Sequence, residues 1–523
     1  MKVRIKLTSA YLCRRVYYLR SPYLQLYSIK AWLRVLRFLF YLPITLVAQE
    51  VSEAPSVAAP DTYPALPFYI HPSKRLDERE LAEKREGTFV TGLPRWEYDP
   101  IRGFGIGAEG FLYINKTRKD PFFAYSPYRH RIDMNVFVFQ NTRYHLVGNY
   151  DAPFLGNGPY RMRANIELIR DPDAQYWGIG RKHLFRPLVA PPRTMNESPR
   201  TFRRVNEYEE ALSQAFLGPD GLYYTDENYT RMLLESQLYN IAFERLLAGG
   251  RLRLFIGYEV DLTRFRSHAG KRFKVPGPEG GVVEAIQRRT RLDEEVADGT
   301  WTQLRLTGYE ESRRWWISSI LAWAVMYDTR DLEPDPTHGV FLEYSHELQA
   351  PWLGGDFRQN KVMVQAVGFY TPLRWGRWGR LTLAGLSAFG YIWGPRINFI
   401  ELYDISSQAE AGGILVLGGA RSVRGFRESR FIAPVVVQTN LEARTHLYGF
   451  RLLKQDWVIG TVTFYDMGSV WDHLRQIKLS TEGWIGSPGV GLRIAWNQST
   501  ILRWDIARSR EGMQTFFAFQ HIF

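Results

Sequence analysis

The chain has 523 residues, 45% hydrophobic and 23% charged, with a formal net charge of +13. That balance excludes a disordered chain. Nine Lys or Arg and no acid fall within residues 1–49, so of the thirteen excess charges only +4 remain beyond them, and no nucleic-acid partner is expected. The basic leader runs into the apolar stretch "FLFYLPITLV", residues 38–47, and then "AQE". A basic region, a short apolar run and a small residue predict a signal peptide over residues 1–48. The run is too short to cross a bilayer as a helix. Cys13, the only cysteine, lies in this leader, so the mature chain has no thiolate ligand and no disulfide.

Residues 49–100 read as a short periplasmic N-terminal segment. It opens on a Pro- and Ala-rich linker. Residues 73–87 are predicted as a short, solvated helix whose apolar positions are Leu76 and Leu81. From 101 to 523 short runs alternate apolar and polar residues between Gly, Pro, Asn and Asp. Ten strands are predicted at 101–115, 130–141, 143–151, 160–171, 229–246, 250–264, 313–328, 338–349, 358–371 and 380–393. Five more are predicted at 434–447, 457–468, 484–496, 500–509 and 514–523. The polar stretches 172–228 and 265–312 are expected outside any hydrocarbon zone, where irregular backbone is not tolerated.

The pattern within strands favours a wet lumen over a soluble sheet. In "STILRWDIARS" Leu502, Trp504 and Ile506 share one face, and Arg503 and Asp505 the other. Trp and Phe near strand ends on the apolar face, with full charges on the polar face, predict an all-β transmembrane barrel of the bacterial outer membrane. In the last predicted strand Thr515, Phe517, Phe519, His521 and Phe523 fall on one face.

The loop "LGGARSVRGFRES" carries Val423, Arg424, Gly425 and Phe426. "YDTRD" at 327–331 and "PTHG" at 336–339 precede it; "NLEAR", "FYDMGSVW", "PGVGLR" and "LRWDIARS" follow in order. This series resembles the BamA-type outer-membrane protein superfamily, the bacterial surface antigen barrels, over roughly residues 315–523. The resemblance implies sixteen antiparallel strands and an inward-folded VRGF loop whose Arg424 meets Glu442 and Asp466. Fifteen strands are read above, so the missing one is expected between 172 and 228. Phe517, Phe519 and Phe523 resemble the C-terminal assembly signal of such proteins. Fewer residues precede the barrel than one POTRA module needs, so the chain resembles the subgroup without POTRA modules.

Other chemistry finds little support. Gly105, Gly107 and Gly110 match a dinucleotide fingerprint, but no strand–helix unit surrounds them. The ten histidines have no metal-ligand spacing. No enzyme, metal or cofactor is expected. The resemblance implies a protein related to assembly and translocation factors, acting in outer-membrane biogenesis or transport of protein or lipid with a separate periplasmic partner. A passive pore or transporter for small solutes and a structural barrel in a partner complex are the alternatives. The expected partners are outer-membrane lipid, the outer-membrane assembly machinery during the chain's own insertion, and a periplasmic or secreted protein.

Overall fold

The computed structural model describes residues 64–523, apart from 77–80, 82–83, 100–102, 195, 310–313, 332–334, 404, 406, 410–415, 453–454, 478–481, 497–499 and 520. The chain divides into two units, Met1–Ala58 and Ala59–Phe523. The first lies outside the described residues, and with it the expected signal peptide and Cys13. Part of the expected helix at 73–87 (77–80 and 82–83) lies outside them too; the described part holds a 3-10 turn at Pro72–Lys74 and a helical Leu81, and residues 84–87 are not helical.

The alternating segments pair into one large sheet of 17 strands among the described residues. One of these, Leu306–Thr307, is a two-residue strand laid parallel to the end of another. The others pair antiparallel in chain order and form the wall. They are β1 (Thr88–Asp99), β2 (Gly103–Ile114), β3 (His130–Phe139), β4 (Tyr144–Ala152), β5 (Tyr160–Gln175), β6 (Arg231–Leu247), β7 (Leu252–Arg266) and β8 (Trp316–Asp328). They continue as β9 (Gly339–Gln349), β10 (Arg358–Trp375), β11 (Gly379–Asn398), β12 (Val435–Leu452), β13 (Gln455–Trp471), β14 (Ile485–Trp496), β15 (Thr500–Ser509) and β16 (Gly512–Phe519). Among the described residues no ladder joins β1 to β16.

Two expectations are corrected here. The strand missing from the sequence count is β1, not a segment between 172 and 228, and the wall therefore starts ahead of residue 101. β1 was obscured by Gly92 and Pro94, which break its alternation. Proline cannot donate to a ladder and is confined to sheet edges, and β1 is an edge of this sheet. Residues 172–228 instead fold into short strands such as Leu188–Ala190 and Arg200–Phe202, and helices Lys182–Phe185 and Val205–Ser213. Secondly, the last strand ends at Phe519, so His521 and Phe523 do not continue its face.

The two faces of the wall differ as strand alternation requires. On β8, Trp323, Val325 and Tyr327 are exposed while Ala322, Ala324, Met326 and Asp328 are buried. Large apolar side chains are exposed along the same outer face of most wall strands, among them Ile106, Val136, Ile241, Ile256, Tyr344, Leu441 and Trp504. So broad an apolar band has no place in water and fits a hydrocarbon surround. The core lies on the other side. There Phe399, Leu402, Leu417, Val423, Phe426 and Phe431 of the β11–β12 connection pack against inward residues such as Met326, Phe341, Met363 and Leu386.

That connection, residues 399–434, reaches strands far apart in the sheet. Arg163 of β5 donates to Ala409 O at 2.5 Å, Lys361 of β10 meets Glu401 at 2.8 Å, and Arg503 of β15 donates to Ala420 O at 2.8 Å. One segment can touch β5, β10 and β15 only if the sheet curves around it.

Candidate functional site

The centre of the site is the Val423–Arg424–Gly425–Phe426 stretch of that segment. Val423 and Phe426 are buried in the core and anchor the turn on either side of Arg424. A Cβ on Gly425 would lie 2.5 Å from Ser487 Oγ and 2.8 Å from Arg508 O, so only glycine lets the turn approach the wall this closely. Arg424 is itself 0% exposed. Its Nε and Nη2 donate to the two oxygens of Asp466 at 2.8 Å each, a fork-to-fork pair, and its backbone N–H adds a third bond at 3.1 Å. Nη1 lies 2.9 Å from Glu442 Oε1, an ion pair without hydrogen-bond geometry. The guanidinium also lies flat on Phe464, its Cζ 3.3 Å from the ring centroid.

The alternation of β12 and β13 puts Glu442 and Asp466 inward, and the antiparallel register brings them level: Asn440 is the cross-strand partner of Asp466, and Glu442 that of Phe464. Asn440 Nδ2 donates to Asp466 Oδ1 and to Ser422 O, at 2.8 and 2.7 Å. A third carboxylate, not singled out from the sequence, completes the arrangement. Asp505 of β15 accepts from Arg424 Nη1 at 3.0 Å and also holds Arg493 and Arg503. Glu442 is shared likewise with Arg444, at 2.8 Å. Four guanidiniums thus enclose three carboxylates. Cβ atoms at Gly489 or Gly491 would collide with Phe464 or Asp505, so the glycines of "PGVGLR" leave the room these groups fill.

The neighbouring turn has its own logic. Asp328 accepts from the backbone N–H and Nε of Arg330, both at 3.0 Å, and Asp331 accepts from the Thr337 N–H at 2.9 Å. Gly339 closes it at φ 105°, where a Cβ would strike Thr329 O. Residues 266–520 match the Omp85 superfamily domain. This part of the chain belongs to the Omp85 superfamily. The Omp85 match places the protein in the bacterial outer membrane. Residues 66–129, ahead of it, match a domain of unknown function, DUF5982.

Among solved structures the chain resembles BamA from Haemophilus ducreyi lacking POTRA domains 1–3, at 12% identity and a TM-score of 0.44, over 83% of this chain and 69% of that one. It also resembles CdiB from Escherichia coli (10%, TM-score 0.45, 83% and 62%) and CdiB from Acinetobacter baumannii (11%, TM-score 0.42, 83% and 60%). The chain therefore spans less than two thirds of either CdiB. No match was found among curated proteins.

Around the Omp85 turn the long connections are fastened together. Arg427 pairs with Glu209 at 2.6 Å and donates to Gln514 of β16 at 2.9 Å, and Arg430 meets Glu511 at 2.9 Å. Residues 172–228 and 265–312 meet at Glu295, which is buried. It accepts from Tyr176 Oη and the Ile179 N–H, each at 2.8 Å, and lies 2.8 Å from His183 Nε2 and 3.1 Å from Lys182 Nζ. Burial lowers the His183 imidazole to about 4, against the pull of Glu295, so it is neutral at pH 7. Burial would raise the Glu295 carboxyl, but its bond to His183 and the charges of Arg291 and Lys182 hold it at about 2.

The C-terminal residues part company. Phe517 is 75% exposed on the outer face, and the Phe519 side chain lies outside the described residues. Phe523 turns to the core side. Its backbone O accepts from Arg444 at 2.9 Å, its ring lies 4.9 Å from the Arg444 Cζ, and Phe369 is its ring neighbour. His521 beside it faces Asp335 at 3.4 Å.

Proposed function

We propose that the wall closes as a sixteen-stranded barrel from about residue 88 and that the inward VRGF loop is a latch with Arg424 at its tip. In this reading Glu442 and Asp466, with Asp505, are its catch, and Phe517, Phe519 and Phe523 form the C-terminal assembly signal. The protein acts in outer-membrane biogenesis or in moving protein or lipid, together with a separate periplasmic partner. The observation that carries this reading is the buried Arg424 arrangement within the Omp85 domain. A passive pore needs an open lumen, whereas here the concave side holds a packed apolar segment bonded to the wall at several places. The two edges, β1 and β16, supply what an assembly or lipid-moving role requires: backbone groups that a strand could pair or a seam that could part.

The test is capture after brief cross-linking in native membranes, combined with depletion. A periplasmic protein should co-purify, and depletion should change the protein or lipid content of the outer membrane. Steady open-pore current from the purified protein, with no partner and no depletion effect, would favour the solute pore. A stable complex with an unchanged membrane would favour the structural role.

A further inference from the structure

The outer face of the wall changes character toward the rim that bears the long connections. On β7 the exposed Leu254, Ile256 and Tyr258 share a face with Arg264 and Arg266 at the strand's end. In register, Glu235 of β6 stands between Arg170 of β5 and Arg264. Its carboxylate meets Arg264 at 2.7 Å, Arg266 at 3.1 Å and Arg170 at 3.8 Å. Arg264 also covers Trp315, Cζ to centroid 4.5 Å, which carries the band toward β8. At the rim Arg314 and Arg396 flank the ring of Trp316, their Cζ atoms 4.6 and 5.4 Å from its centre; Trp316 is buried and starts β8 on its inward side. Arg358 of β10 is the cross-strand partner of Arg396 of β11, and both are exposed.

Among the described residues charge in this band is not balanced. Asp356 takes Arg314 at 2.6 Å, but among the described residues neither Arg358 nor Arg396 has a carboxylate partner. Among the described residues six arginines thus face two acids. Like charges set opposite each other on adjacent strands destabilise the pair, unless an anion lies between them. Further along the same strands comes a row of rings: Trp323 and His346 at 4.4 Å, His346 and Trp393 at 5.9 Å, Trp393 and Tyr391 at 4.8 Å. Aromatic rows of this kind mark the level where hydrocarbon gives way to head groups. In outer-membrane barrels the rim with the longer connections faces outward from the cell.

Guanidinium forks match phosphate oxygens in pairs. We propose that this band binds the phosphate groups of a phosphorylated glycolipid in the outer leaflet. The Arg314, Arg358 and Arg396 group takes one phosphate, and the Arg170, Arg264 and Arg266 group a second. The site rests on the outer-membrane placement and shares no residue with the Arg424 latch.

The experiment is native mass spectrometry of the detergent-purified protein with three probes: a bisphosphorylated lipid A analogue, its dephosphorylated form and inorganic phosphate. The bisphosphorylated lipid should bind at least about tenfold more tightly than the dephosphorylated one, roughly the scale of one charge-assisted contact. Arg358→Gln with Arg396→Gln should remove most of that preference while boiling still shifts gel mobility. Equal binding of both lipids to the unaltered protein would overturn the proposal, as would an unchanged preference in the folded double variant. Inorganic phosphate competing as well as the lipid would overturn the lipid assignment. If the variant does not fold, the lipid comparison on the unaltered protein still decides. An unaltered protein with no boiling-dependent mobility would instead strike at the outer-membrane placement itself.

Discussion

Arg424, fully buried, meets three carboxylates and an aromatic face, so the loss of any one partner is felt differently. Arg424→Ala strands Glu442, Asp466 and Asp505 with the other guanidiniums in a misfitted group. Breaking a sequestered pair costs about 3–5 kcal/mol, against about 0–1 for an exposed one. Asp466→Asn should cost less, because Glu442 and Asp505 still neutralise the guanidinium. Arg424→Lys should rescue poorly, since an ammonium cannot fork onto Asp466. The temperature at which unboiled protein loses its folded gel band checks all three. Losses for Arg424→Ala and Asp466→Asn that simply add in the double variant would show that the two do not act together. The resemblance made Glu442 and Asp466 legible. Asp505 was visible only as a polar-face residue: alternation gives the side of a strand, and only register across three strands gives its height.

At the scale of elements, the alternation exposed most wall strands, and the ones it blurred were those built to be irregular. β1 carries Gly92 and Pro94, and among the described residues it pairs only with β2. The tail beyond Phe519 leaves the strand because Arg444 and Asp335 hold it inside. Phe517→Asp should impair assembly, since a charge facing lipid is destabilising, by about 2–4 kcal/mol for Arg or Lys at mid-membrane and by less for an acid. Normal heat-shifted mobility in that variant would remove Phe517 from the lipid face. The fastening of the long connections at Glu295 predicts acid sensitivity. His183 is depressed from 6.5 to about 4, so its contribution is complete above pH 6.5 and fades as pH falls toward 4. Glu295, depressed from 4.5 to about 2, loses its contribution from pH 4.5 downward. Both act in one direction, and proteolysis of residues 172–228 and 265–312 on intact cells should rise from pH 7 to 4. Glu295→Gln should show the open pattern already at pH 7. Cleavage that ignores both pH and this substitution would detach Glu295 from the closure.

For the whole molecule, the wall is legible in composition and alternation, but its contents are not. Nothing in a one-dimensional pattern says that residues 399–434 lie against β5 and β15 alike. If the edges meet, a cysteine at Val90, 72% exposed on β1, should form a disulfide with one cysteine placed at Met513, Thr515 or Phe517. No cross-link from any of the three would leave the sheet open at that seam. The reach of the β11–β12 connection also dictates a sequence of events. Its arginines bond to Glu511 and Gln514 at the last hairpin, and its Ala409 carbonyl to β5. A wall already closed would have to admit this bulky apolar stretch through its own mouth. If the wall closes, the stretch would act as a mandrel, seated first while the sheet is wound around it. On that order the last hairpin would lock onto something already in place. A chain carrying Arg427→Ala and Arg430→Ala should accordingly accumulate as a membrane-bound, protease-sensitive precursor before the folded band appears.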